Sequence, residues 1–150
     1  MLKRPPTRVQ VLRELRGRLA AQLYDDSHTP TVGVAIYSLC DPRDIRGAIH
    51  YIGQTLEPRR RLLQHLSVAR LWMPDERPWW VRSPRLRPLY AWIRDMYREE
   101  RRLPVMVVSA WVEPSQARAA ERELIRECLQ RQLPLLNVES ERLRGQGLLI

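Results

Sequence analysis

The 150-residue chain has a single lysine, Lys3, and only two cysteines, Cys40 and Cys128. Each cysteine is isolated among apolar residues, and neither has a second Cys or His at metal-ligand spacing. That argues against a disulfide framework and a zinc site, and leaves buried free thiols as the expectation. No run approaches the roughly 20 apolar residues that a membrane-spanning helix requires, and the opening MLKRPPTRVQ lacks the apolar centre of a secretory leader. A soluble, intracellular protein is expected, cytoplasmic and without a membrane partner. Residues 1–24, arginine-rich with Glu14 as their one acid, share the composition of an organelle transit peptide. No internal repeat, linker or low-complexity run divides the chain, and its length suits one folded core.

What the chain has in excess is arginine. The net charge is +9, and between Arg59 and Arg102 twelve arginines stand against Asp75, Glu76, Asp95, Glu99 and Glu100. A concentrated cationic surplus favours polyanion partners and speeds their capture, which makes nucleic acid the first suspect. The planar guanidinium fork also suits bidentate phosphate contact better than an ammonium does. Codon usage in a GC-rich genome would favour arginine equally, so the position of the charge carries more information than its residue type.

Residues 8–24 place Val11, Leu12, Leu15, Leu19 and Leu23 at spacings of three and four, which predicts an amphipathic helix with a basic outer face. TVGVAIYSL and AIHYIGQ are β-rich runs separated by the turn signal DPRD, and they predict a hairpin. Thr55 is a candidate cap for a helix with Pro58 in its first turn and Leu62, Leu63, Leu66 and Ala69 on its buried face. Four prolines and three tryptophans between residues 72 and 88 predict an irregular excursion. Leu89, Trp92, Ile93 and Met96 restore a helical period, LPVMVVSAWV reads as a central strand, and a last helix runs from Ser115 to about Gln132. The order predicts an α+β domain: a small three-stranded mixed or antiparallel sheet flanked by helices, plus the N-terminal amphipathic helix.

Two features bear on chemistry. On the last helix Glu121 falls within the apolar stripe of Ala117, Ala120, Leu124, Ile125 and Cys128. A buried carboxylate costs several kcal/mol unless paired, so either Glu121 lies at the edge and reaches solvent or something positive meets it. In YIGQTLEPRRRLLQH, residues 51–65, Arg61 and His65 lie four apart and share a helix face, where both can converge on one anion. Tyr51 and Gly53 share one face of a strand, and Tyr37 can sit beside Tyr51 if the two strands pair.

Taken together, these residues resemble the GIY-YIG nuclease family. The resemblance is carried by AIY ending at Tyr37 and by YIG from Tyr51 to Gly53. The arginine eight residues after that glycine, Arg61, and the histidine four later, His65, fit the family pattern, as do AERELI with Glu121 and PLLN with Asn137. It spans residues 31–138. The alanine of AIY stands where the family has glycine, the hairpin connection is a few residues longer than usual, and the tryptophan-rich excursion is an insertion. On this reading residues 1–30 are a basic helix and linker, 31–138 the nuclease-like domain with its insertion at 72–88, and 139–150 a tail.

The resemblance implies a metal-dependent endonuclease that hydrolyses DNA phosphodiester bonds. By carry-over Tyr37 acts as general base on the attacking water, or is linked to it by a proton relay, with nearby cations lowering its pKa. Tyr51 orients that group, Arg61 holds the scissile phosphate, and His65 assists. Glu121 binds one divalent ion, Mg²⁺ or Mn²⁺, and Gly53 and Asn137 support the site. Arg59, Arg60, Arg70, Arg77 and Arg82 supply a track for the backbone of duplex, branched or partly single-stranded DNA. Trp72, Trp79 and Trp80 either stack on exposed bases or plug a satellite core. No helix-turn-helix or zinc finger supplies sequence specificity, so a homodimer or a specificity-giving partner protein is open. The rival readings are a catalytically silent nucleic-acid-binding module on the same scaffold, and RNA as the substrate.

Overall fold

A computed structural model describes residues 4–74 and 77–137; the tail expected at 139–150 lies outside the described residues. Eight regular elements follow in chain order: α1 Arg8–Arg18, β1 Leu23–Asp25, β2 Val34–Cys40, β3 Ile49–Thr55, α2 Pro58–Val68, α3 Arg87–Glu100, β4 Val105–Val112 and α4 Pro114–Gln130. Short 3₁₀ turns occupy Leu19–Gln22 and Trp79–Arg82. The strands form one mixed sheet in the order β1-β4-β2-β3, in which β1 runs parallel to β4 and the other pairs are antiparallel. β2 and β4 are the central strands. Their apolar runs match burial on both faces, and all seven residues of β2 are buried.

The chain is therefore α+β, but its sheet has four strands rather than three. The helical period over residues 8–24 ends at Arg18. The Gln22 side chain turns inward and donates to the carbonyls of Leu103 and Pro104, each at 2.9 Å. Leu23, Tyr24 and Asp25 then pair with Met106, Val107 and Val108. An open strand edge with unpaired backbone groups outweighs the modest helical preference of the Leu23-Tyr24-Asp25 run. Val11, Leu15 and Leu19 of the N-terminal segment thus join the core, and β1 joins the sheet.

Side-chain alternation divides the core between the two faces of the sheet. On one face Ala35, Tyr37, Leu39, Met106 and Val108 pack against α1, α2 and α3. On the other Val34, Ile36 and Ile52 pack against α4 through Ala117, Ile125, Cys128 and Leu129. Cys40 and Cys128 are buried free thiols, as composition predicts. The face of α2 is Leu62, His65 and Leu66, while Leu63 points outward at 42% exposure. Thr55 does not cap α2: Glu57 holds the cap position, and the Thr55 hydroxyl accepts the Glu57 amide at 3.1 Å.

The 72–88 excursion is anchored rather than loose. Trp80 is fully buried, donates its indole N–H to the Val68 carbonyl at 2.7 Å, and lies under the Arg94 guanidinium at 4.9 Å. Its neighbour Trp79 is 62% exposed. Adjacent positions of a tight turn point apart, so Trp80 is the plug and Trp79 the surface residue. Trp72 lies between these extremes, with Arg70 and Arg8 over its ring at 5.5 and 5.7 Å.

Candidate active site

Tyr37 and Gly53 are directly opposed across the β2–β3 ladder, and Tyr51 lies one diagonal step away, opposite Leu39. Both tyrosines therefore occupy the α2–α3 face, with ring centroids 6.3 Å apart. A β-bulge next to Tyr37 leaves Ser109 unopposed between the Ile36–Ala110 and Tyr37–Val108 pairs, and a second irregularity beside Tyr51 leaves His50 unopposed. Bulges re-aim the side chains beside them, and both of these flank the tyrosines.

Gly53 has a steric reason to be glycine. A Cβ there would lie 2.6 Å from the Tyr37 hydroxyl and 2.7 Å from the ring carbon that bears it. The ring thus lies across β3, in the space that a missing side chain leaves. From there the hydroxyl contacts His65 Nε2 at 2.7 Å and accepts from Arg61 Nε–H at 3.3 Å, both presented by α2. The other ring nitrogen, His65 Nδ1, lies 3.2 Å from the hydroxyl of Tyr90 on α3. The His65 ring also meets Tyr51 edge-on at 5.5 Å. The spacing of Arg61 and His65 thus brings both to the hydroxyl that the hairpin positions.

Burial divides this group. Tyr37 and His65 are each only 1% exposed. Half-buried Tyr51 and Arg61, and Tyr90 with 6% of its surface exposed, line an open cleft of about 630 Å³, together with Ser83, Arg85, Leu86, Leu89, Leu136 and Asn137. Three of these, Ser83, Arg85 and Leu86, come from the tryptophan-rich excursion, which therefore furnishes a wall of the same cleft. Tyr90 and Arg85 are missing from the residues singled out in the sequence. Tyr90 shares a buried helical stripe with Ile93, Arg94 and Tyr97, and a tyrosine with an arginine on a core stripe is the signal that was there to be read.

Burial also decides the protonation states. It pushes the Tyr37 hydroxyl well above the usual tyrosine range, and the opposing pull of Arg61 does not compensate. The expectation that cations lower this pKa is therefore reversed. Desolvation and the Arg61 charge together hold His65 down to about 3, so its ring is neutral at pH 7. The hydroxyls of Tyr51 and Tyr90 are likewise raised by burial, against the opposing influence of Arg61. At neutral pH the centre is a set of neutral hydroxyls and one neutral imidazole around a single permanent cation.

Glu121 lies apart from that network. It is half-buried on α4, on the far side of β3, where Oε2 accepts from Gln54 Nε2 at 2.6 Å. Arg118 and Arg122 line the same shallow hollow. Its charge is nonetheless felt at the Tyr51 hydroxyl, whose pKa it raises. Glu121 thus lies half-buried at the edge of its apolar stripe, in that separate hollow.

Asn137 braces the outer edge of β3. Its Oδ1 accepts the Ile52 N–H at 3.0 Å and its Nδ2 donates to the Ile52 carbonyl at 2.8 Å, while Leu136 N–H donates to the His50 carbonyl at 2.6 Å. Arg59, Arg60, Arg70, Arg77 and Arg82 are all exposed, but it is Arg61 and Arg85 that line the cleft. Arg60 is paired with Glu57 at 3.3 Å. Among the described residues no cluster of three or more His, Cys, Asp or Glu side chains converges, and no helix is long and apolar enough to cross a membrane. Set beside protein-family models, curated proteins and solved structures, the chain matches none.

Proposed function

We propose that the protein is a metal-dependent endonuclease of the GIY-YIG type, acting on DNA through a single active site that nicks one strand per encounter. One observation carries the reading. Arg61 is a half-buried guanidinium held at a cleft wall by Tyr37, within electrostatic reach of the Tyr37, Tyr51 and Tyr90 hydroxyls. A fixed cation ringed by hydroxyl donors in a partly dry cleft is what a phosphodiester transition state needs, because it need not reorganise as negative charge develops.

In this reading Arg61 binds the scissile phosphate, and Tyr51, which shares the cleft wall with Arg61 and feels the Glu121 charge, orients the attacking water. Tyr37 and His65, sealed behind the wall, act through the proton chain to which they belong rather than by touching the substrate. Arg85 and Ser83 hold the flanking backbone, and the exposed Trp79 gives unpaired bases a surface on which to stack.

The donor set at Glu121 suits a hard divalent cation: one carboxylate and the side-chain amide of Gln54, whose oxygen is also available if the amide turns. Bound there, Mg²⁺ or Mn²⁺ supplies positive charge to phosphoryl and water oxygens. With Arg118 and Arg122 nearby, a single carboxylate holds such an ion weakly until phosphate oxygens complete its shell. That favours a one-metal site assembled with the substrate.

The test is supercoiled plasmid with Mg²⁺ at low salt, run beside Glu121→Ala, Arg61→Ala and an EDTA control. Nicking by wild type that disappears in all three supports the reading. A folded wild type inert on duplex, branched and single-stranded DNA, with or without RNA competitors, sinks it in favour of a binding module.

A further inference from the structure

We infer that Tyr90 is the proton-donating hydroxyl of the cleft, the outward end of a directed hydrogen-bond chain that starts at Arg61. The direction follows from counting hydrogens. Arg61 can only donate, so the Tyr37 oxygen accepts from it. Tyr37 has one hydrogen and is buried, and an unpaired buried O–H is costly, so that hydrogen goes to His65 Nε2 at 2.7 Å. His65 is a neutral ring with one N–H. With Nε2 accepting, the proton resides on Nδ1 and is donated to the Tyr90 oxygen, 3.2 Å away. The Tyr90 hydrogen is then left over. No other partner of this hydroxyl is found among the described residues, and Tyr90 lines the cleft whereas Tyr37 and His65 do not. The opposite polarity would strand the Tyr37 hydrogen in the core and turn the Tyr90 hydrogen inward to His65 Nδ1.

A chain of this polarity has a chemical use that rests on the phosphodiesterase reading. As the bond from phosphorus to the leaving oxygen breaks, the Tyr90 O–H proton passes to that oxygen. Nδ1–H of His65 replaces it on Tyr90, and the Tyr37 proton moves to Nε2. His65 ends neutral in its other tautomer, and the negative charge passes transiently to the Tyr37 oxygen beside the Arg61 guanidinium, where burial disfavours it and drives the chain to reset. Each bond broken is matched by one formed, and no buried charge is left without a partner. The chain refills from solvent through Tyr90 once the product has left.

Two measurements decide the matter. In protein with ¹⁵N-labelled histidines, His65 is identified by its loss in His65→Gln, and its tautomer is read from two-bond ¹⁵N–¹H correlations. The expected state is Nδ1–H, shifting toward Nε2–H in Tyr90→Phe; an Nε2–H ring in the wild type overturns the chain. The second measurement compares Tyr90→Phe with wild type on two substrates, an ordinary phosphodiester and one with sulfur at the leaving position, whose thiolate needs no proton. The variant should lose about 10²-fold or more on the first and under about threefold on the second. Equal losses on both, or none, overturn proton delivery. A wild type that cuts neither substrate removes the cleavage reading and proton delivery with it, and the tautomer alone then decides the polarity of the chain.

Discussion

Replacing Gly53 by alanine tests the centre at its tightest point. The added methyl would lie 2.6 Å from the Tyr37 oxygen and 2.7 Å from its ring carbon. Normal contact there is about 3.5 Å or more, so a displacement of nearly 1 Å is required. Neither side yields easily. β3 is held by its ladder to β2 on one edge and by Asn137 on the other, and the Tyr37 ring is wholly buried with its hydroxyl tied to His65 and Arg61. Overpacking of this kind costs about 1–3 kcal/mol. If the ring tilts instead, the two hydroxyl bonds are lost at about 1 kcal/mol each. Small offsets come from the lower chain entropy of alanine when unfolded, so a net destabilisation of roughly 2–4 kcal/mol is expected from denaturant unfolding. A double-mutant cycle isolates the cause: in a Tyr37→Ala background the glycine replacement should cost under about 0.5 kcal/mol, because the methyl then has room. A Gly53→Ala protein as stable as wild type, or one equally destabilised in both backgrounds, refutes the steric account of this glycine and of the pose of Tyr37.

Asn137→Ala removes the side-chain partners of both the N–H and the C=O of Ile52 and should cost about 2–3 kcal/mol, with the Ile52 amide among those whose hydrogen exchange accelerates most. The two adjacent tryptophans should behave oppositely: Trp80→Ala costs about 3–5 kcal/mol, whereas Trp79→Ala stays within about 0.5 in unfolding experiments. For His65 the folded pKa, about 3, lies below the unfolded value, so between those pH values the unfolded chain binds the extra proton. Stability is therefore intact above about pH 7 and is lost as pH falls. The difference in unfolding free energy between wild type and His65→Gln should shrink at up to about 1.4 kcal/mol per pH unit from pH 6 to 5. The lowered carboxyls of Asp25 and Asp41 act at lower pH and are common to both proteins. A pH-independent difference would mean that the imidazole is not sealed in the core.

Much of this centre is legible in one dimension because it depends on short-range periodicity. The alternation of Tyr51 and Gly53, the four-residue step from Arg61 to His65 and the apolar stripe around Glu121 each fix a face without any tertiary knowledge. What escapes is set by the third dimension. β1 lies inside a run with good helical spacing and becomes a strand only because the edge of β4 is open to it. Leu63 fits the apolar count of α2, yet it faces outward, because the inward face is the row of Leu62, His65 and Leu66 and Leu63 lies about 200° around the helix from His65. Trp79 and Trp80 are indistinguishable as letters, and only the anchor on the Val68 carbonyl selects one of them.

The deepest difference concerns acidity. Read as a list, a tyrosine near arginines suggests a hydroxyl whose proton is easily lost. In place, Tyr37 has one guanidinium contact and almost no water, and desolvation outweighs the cation. The same burial removes the charge from His65, and a neutral ring with its two nitrogens in different roles transmits direction, which an imidazolium with two donors cannot. A site built this way has no strong base stored in the core. It has a preset order of hydrogens, anchored at Arg61 and reaching the cleft wall at Tyr90, so the residue most remote from the sequence motif is the one of the chain's three ring side chains that meets the cleft.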